Sequence, residues 1–152
     1  MISDQEFLHG AAFLRLINTG QTITVTHASF VHPSIYVVRS LTKLSGILFK
    51  VSTKSRSAWS FTFSEQECVA INTLKTKYQG ISFFAALVCY KDGVCCLSEA
   101  QLLSVFDADD QMFEGQRISV SRKSHGSYHV NGAKRAHMQR TVPQSAWPKL
   151  IV

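Results

Sequence analysis

Between Glu6 and Glu65 the chain has no Asp and no Glu, and a second acid-free stretch runs from Gly115 to Val152. The first stretch carries Arg15, Arg39, Lys43, Lys50, Lys54 and Arg56. The second carries Arg117, Arg122, Lys123, Lys134, Arg135, Arg140 and Lys149. Eight carboxylates are confined to the interval between them, residues 65–114. Stretches without carboxylates are a poor place for a hard-metal centre, since Mg²⁺ and Ca²⁺ take oxygen ligands. Uncompensated cations favour an anionic partner instead. The net charge of +6 is therefore unevenly spread: −2 over residues 1–6, +6 over 7–64, −5 over 65–114 and +7 over 115–152.

Other absences narrow the field further. None of the four cysteines, Cys68, Cys89, Cys95 and Cys96, has the two-residue spacing of a structural zinc site. Cys89 and Cys96 have a spacing that suits a cross-hairpin disulfide. In a reduced cytosol, small buried hydrophobes are the expected state for all four. No run approaches the roughly 20 apolar residues of a spanning helix, which argues against a membrane partner. The start, Met-Ile-Ser-Asp-Gln-Glu, lacks a basic region and an apolar core, so no signal peptide is expected and a cytoplasmic location follows. Gly-x-Ser-x-Gly, Gly-x-x-x-x-Gly-Lys and dinucleotide fingerprints are missing, as are internal repeats.

What remains is a chain of 152 residues, 45% apolar, which excludes a disordered polymer and suits one domain over 1–152. Three helix starts share the capping-box pattern: Ser3 with Glu6, Ser64 with Glu67, and Ser98 with Gln101. They predict helices from Asp4 to about Asn18, from Glu65 to about Tyr78, and from Glu99 to about Phe106. In the first, Phe7, Ala11, Leu14 and Ile17 form the expected buried stripe; in the second, Cys68, Ile71, Leu74 and Tyr78 do. Strands are predicted at Thr22–Thr26, Ile35–Arg39, Gly46–Thr53, Trp59–Phe63, Ser82–Tyr90, Val94–Leu97, Arg117–Arg122 and Ser127–Val130. Asp92-Gly93, His125-Gly126 and Asn131-Gly132 supply turns. The order reads as α/β or α+β, with a mixed central sheet flanked by helices and an extra C-terminal hairpin. Val142, Trp147, Leu150 and Ile151 predict that the tail packs back on the body.

The stretch Gly46-Ile-Leu-Phe-Lys-Val-Ser-Thr-Lys-Ser-Arg56 is the most suggestive chemically. Strand alternation sets Leu48, Lys50, Ser52 and Lys54 on one face and Ile47, Phe49 and Val51 on the other. Two ammonium groups on one face point to phosphate contact, against the plainer reading of a strand end entering water. Arg122-Lys123, beside His125-Gly-Ser-Tyr-His129, adds a second basic cluster; two histidines four apart around a turn suit a metal or a phosphate, but a polar turn on a solvated hairpin is the favoured reading. Trp59, Phe61 and Phe63 alternate on one strand and read as a buried face rather than a stacking platform. Asp107-Ala-Asp-Asp110, with Glu114, lacks calcium-loop spacing and reads as a solvated turn.

The phrase Phe-Lys-Val-Ser-Thr-Lys, then Trp59-Ser-Phe-Thr-Phe and a capped helix, resembles the restriction-endonuclease-like fold, the PD-(D/E)XK nucleases. The resemblance covers residues 3–97 and rests on an order of helix, three strands, helix, strand. It implies a catalytic Glu6 on the first helix, but Ser34 stands where the family has an Asp, and Lys50-Val51-Ser52 stands where it has Glu-x-Lys. Lys54 lies on the face of the lost lysine. Family hydrolysis needs Mg²⁺ held by carboxylates. An ammonium replacing a carboxylate repels it by about 4 kcal/mol per unit charge at ~4 Å and a dielectric of ~20. The resemblance thus implies a degenerate scaffold without a cofactor, holding DNA or RNA through Lys50, Ser52, Lys54, Arg56, Arg122 and Lys123. Two alternatives stand beside it: a protein–protein module or homodimer, and an active Mg²⁺-dependent nuclease with a displaced site among Glu65, Glu67 or Asp92.

Overall fold

Capping sets where the helices begin. In the computed structural model, which describes residues 1–106, 115–132, 138 and 140–152, all three capping boxes are closed. Ser3 Oγ accepts from the Glu6 amide at 3.1 Å while the Glu6 carboxylate accepts from the Ser3 amide at 2.8 Å. The resulting helices are α1 (Asp4–Ile17), α2 (Glu65–Lys77) and α3 (Glu99–Val105), with a short turn α4 (Ala146–Lys149) in the tail. Asp107–Asp110, Glu114, Lys134 and Arg135 lie outside the described residues.

Strands β1 (Thr24–His27), β2 (Ile35–Arg39), β3 (Leu44–Ser52), β5 (Ser82–Cys89) and β6 (Gly93–Ser98) form the central sheet, in the spatial order β1-β2-β3-β5-β6. Its pairs are antiparallel except β3–β5, which run parallel with Lys50 opposite Leu87. A parallel pair needs a long crossover, and the β4–α2 segment between them supplies it. β4 (Trp59–Thr62) leaves the central sheet and pairs with β7 (Arg117–Arg122), which pairs with β8 (Tyr128–Gly132). The class is mixed α+β, a five-stranded mixed sheet plus a three-stranded antiparallel one. The C-terminal hairpin expected from sequence is thus completed by β4 into a sheet of its own. Trp59, Phe61 and Phe63 are buried as a core face.

Four local readings are corrected. On α1 the buried residues are Leu8, His9, Ala12 and Leu16, whereas Phe7, Leu14 and Ile17 are 63%, 56% and 63% exposed. Both sets recur at helical spacing, so the apolar pattern does not choose between them. Packing does: Ala12 is small enough to admit the Trp147 indole, which donates to the Ala12 carbonyl at 3.0 Å. His9 stacks on Phe49 at 4.8 Å, and its Nδ1 lies 3.3 Å from the Tyr36 hydroxyl. Burial first, then His27, lowers the His9 pKa to about 4, so its ring is neutral at pH 7.

Secondly, Asn131-Gly132 is not a turn but the end of β8, paired with Ser119 and Ile118. Gly132 is required because a Cβ there would lie 2.0 Å from the Val105 carbonyl oxygen of α3. Thirdly, the β5–β6 turn is Tyr90-Lys91-Asp92, with Gly93 already paired to Cys89. Fourthly, Cys96 pairs with Ala86, so Cys89 and Cys96 do not face each other; the four cysteines are buried thiols. Burial pushes the Cys96 thiol up to about 12. The tail packs as expected, with Val142, Trp147 and Ile151 buried and Val142 bridged to Tyr128.

The α1 correction gives a direct test. Leu16→Ala is expected to cost about 2–5 kcal/mol in urea unfolding, and Leu14→Ala to stay within about 0.5 kcal/mol of the parent. The reverse order would restore the stripe read from periodicity.

Candidate functional site

The central sheet divides the residues that the sequence grouped together. On β3, Phe49 packs toward α1, against His9 and Phe13, while Lys50 turns toward α2. There its ammonium lies 2.9 Å from Glu67 Oε1 and 5.5 Å from the Phe63 ring centroid. Glu67 is 5% exposed, and the same oxygen accepts from the Ser64 amide at 2.8 Å. One carboxylate thus caps α2 and balances Lys50 inside the molecule. A buried charge needs such a partner, because desolvation outweighs a lone contact. Lys50 is engaged with Glu67, so it does not present a free ammonium to a phosphate.

Ser34 lies on the opposite side. It is buried, and its hydroxyl accepts from Gln5 Nε2 of α1 at 2.8 Å. Glu6 is exposed in its capping box. Glu6 and Ser34 therefore belong to the α1 side, Lys50 to the α2 side, and these positions do not converge. This donor set does not fit Mg²⁺, because its one carboxylate on α1 already accepts from a backbone amide and the facing strand residue is a lysine. Among the described residues, no group of three or more His, Cys, Asp or Glu comes together as a metal would require.

A different group does converge, at the carboxyl ends of β3 and β5. Because these strands are parallel, both chain exits open on the same side of the sheet. The Tyr90 amide donates to the Ser52 carbonyl at 3.0 Å, tying the β5–β6 turn to the end of β3. The segment beyond β3 then folds on itself. Lys54 Nζ donates to the Ala58 carbonyl at 2.9 Å, and Trp59 Nε1 donates to the Lys54 carbonyl at 2.8 Å. From the second sheet, the Arg122 amide donates to Ser57 Oγ at 3.2 Å. The Arg122 guanidinium grips Asp92 through two bonds, at 2.9 and 2.5 Å, and the Tyr128 hydroxyl donates to the same carboxylate at 3.0 Å.

These bonds tie together the segments that carry Lys54, Arg56, Lys91 and Lys123, all exposed, and these segments form one rim. Arg15 of α1 joins it, since its Nη1 lies 3.6 Å from where a Cβ on Gly93 would stand. Asp92 is fully committed: hydrogen bonding from Arg122 holds its carboxyl below the usual carboxylate range. Burial pushes the Tyr128 phenol up, so it remains a donor at neutral pH. The two acid-free blocks of sequence therefore meet at the Ser57–Arg122 contact.

Of the residues expected to touch nucleic acid, Lys54, Arg56 and Lys123 are exposed on this rim and Ser52 anchors it through its carbonyl. Arg122 is a tie rather than a free cation. Lys91 and Arg15 were missed by sequence reasoning. The available signal was that Lys91 lies in the turn after β5, beside the exit of β3, if those two strands are parallel. His125 and His129 are exposed on the β7–β8 hairpin.

No family model, no curated protein and no solved structure matches the chain. Among the described residues, no helix is long and apolar enough to cross a membrane.

The Asp92 tie has a pH signature. A carboxylate whose folded-state pKa is depressed stabilises the protein above its ordinary pKa of about 4, and that stabilisation is lost as pH falls through the folded value. Asp92→Asn is therefore expected to lose roughly 1.5–3 kcal/mol at pH 7. The gap to the parent should narrow steadily once the pH drops below about 4. Urea unfolding at neutral and acid pH measures it, and an equal gap at both would contradict the assignment.

Proposed function

We propose that the chain binds the phosphate backbone of DNA or RNA along the rim at the ends of β3 and β5, without cutting it. The observation that carries the reading is the gathering of Lys54, Arg56, Lys91 and Lys123, all exposed, beside a carboxylate that Arg122 has already neutralised. In open α/β sheets, ligands favour the crevice outside the carboxyl ends of parallel strands. The exposed cations there act as point charges for phosphates, which set affinity rather than sequence choice.

The order of α1, three strands of the central sheet, α2 and β5, with β4 leaving to the second sheet and β5 parallel to β3, supports a nuclease-like scaffold. Ser34, Lys50 and Ser52 in place of metal-binding and catalytic residues support a scaffold that no longer hydrolyses. Four buried cysteines held as thiols suit a reducing compartment and so a cytoplasmic setting. A second reading, self-association, is favoured by the exposed α1 stripe of Phe7, Leu14 and Ile17.

Fluorescence anisotropy with a labelled oligonucleotide across a salt series tests the first reading. With four phosphate contacts on B-form DNA, log affinity should fall against log salt with a slope near about −3.6. Lys54→Glu/Arg56→Glu should weaken binding at every salt concentration and reduce that slope by roughly 2. Lys50→Met/Glu67→Gln, which removes the internal pair, should bind like the parent. Absence of binding at low salt, or no effect of the Lys54/Arg56 change, would remove the proposal.

A further inference from the structure

Beside the rim, between α1 and the β5–β6 hairpin, runs a groove of about 530 Å³. That volume lies in the range of roughly 300–1,000 Å³ typical of sites for small organic groups. Val88 and Val94 contribute to its apolar lining, and Phe7 and Tyr90 bring an aromatic ring each from α1 and the hairpin turn. We propose that this groove receives an unpaired nucleobase, so that the nucleic acid held on the rim is single-stranded. The inference rests on the phosphate-binding reading above and adds the form of the ligand.

Three features point to a base rather than to another apolar group. The first is the pair of aromatics. Phe7 is 63% exposed, so the core does not use its ring. Tyr90 is held with φ at 33°, uncommon for an aromatic residue, at the junction of groove and rim. Every base has a π-face, so aromatic rings stack on single strands with little regard for sequence.

The second feature is polarity along the groove. Arg15 and Lys91 stand at the end shared with the rim, and Lys91 Nζ lies 5.5 Å from the Tyr90 ring centroid. Asp4 lines the groove eleven residues earlier on α1, about 16 Å away at 1.5 Å rise per residue. Cations at the rim end attract phosphate. A carboxylate at the far end repels it and accepts hydrogen bonds from the amino and imino groups of a base. The arrangement thus favours base inward and phosphate outward.

The third is continuity. Tyr90 lines the groove, and its amide is bonded to the Ser52 carbonyl on the rim. A strand with its phosphates near Lys54 and Lys123 passes the groove mouth at Lys91. A duplex keeps its bases stacked inside and offers the groove nothing, whereas a single strand can turn one in.

The test compares a labelled oligothymidylate with a duplex of equal length at one salt concentration. The single strand should bind about tenfold tighter. Phe7→Ala and Tyr90→Leu should each bring the ratio of the two affinities toward one, and Phe7 is exposed enough for its variant to fold. Equal binding of the two forms, or a ratio unchanged by Phe7→Ala, would overturn the inference and leave the rim reading standing. No binding of either form would remove both. Sedimentation velocity supplies the remaining outcome: a dimer that Phe7→Ala dissociates, with tighter oligonucleotide binding by the monomer, would assign the groove to a second copy of the chain and overturn the inference.

Discussion

The bidentate contact between Arg122 and Asp92 is the constraint on which the candidate site depends. Arg122 ends β7 in the three-stranded sheet, and Asp92 lies in the β5–β6 turn of the five-stranded one. Their contact therefore fixes one sheet against the other where the basic segments leave. The two side chains are 14% and 20% exposed, dry enough for a paired charge to count and wet enough to limit its desolvation cost. Tyr128 completes the contact from β8. Space around it is so limited that a Cβ on Gly93 would lie 2.6 Å from the Tyr128 hydroxyl. Because Asp92 is spent on Arg122, the turn presents Lys91 to solvent without a free carboxylate beside it.

A second ion pair sets the chemistry by subtraction. Lys50 and Glu67 neutralise each other between β3 and α2, so the strand that carries the most suggestive motif has no charge left for a ligand. The same carboxylate caps α2, which makes Glu67 a structural residue twice over. Phosphodiester hydrolysis of the metal-assisted kind calls for several anionic oxygens aimed at one point. Here Glu6 and Ser34 lie on the α1 side and Lys50 on the other. The exposed cations instead lie outside the strand ends, on the segments that follow β3 and β5.

Local chemistry was well written in the sequence. Capping boxes at Ser3, Ser64 and Ser98 marked three helix starts, and Ile35–Arg39 and Arg117–Arg122 were bounded correctly because β-branched alternation and flanking turn residues agree there. Legibility failed where the answer lay in a partner distant along the chain. The face of α1 was decided by Trp147, and Gly132 by the approach of α3. Lys50 looked like a ligand-facing ammonium because nothing within a few residues shows that Glu67 sits across from it. The rim itself is a product of parallel β3–β5 pairing, which no local pattern announces. Segregated charge was visible in the sequence; its convergence required the fold.

Mapping the bound oligonucleotide by heteronuclear NMR tests the central claim most directly. With increasing oligothymidylate, amide shifts should concentrate in residues 52–58, 90–93 and 121–124, the three segments tied together by Arg122, Asp92 and Ser57. Shifts centred instead on the exposed face of α2, or around Lys50 and Glu67, would contradict the account.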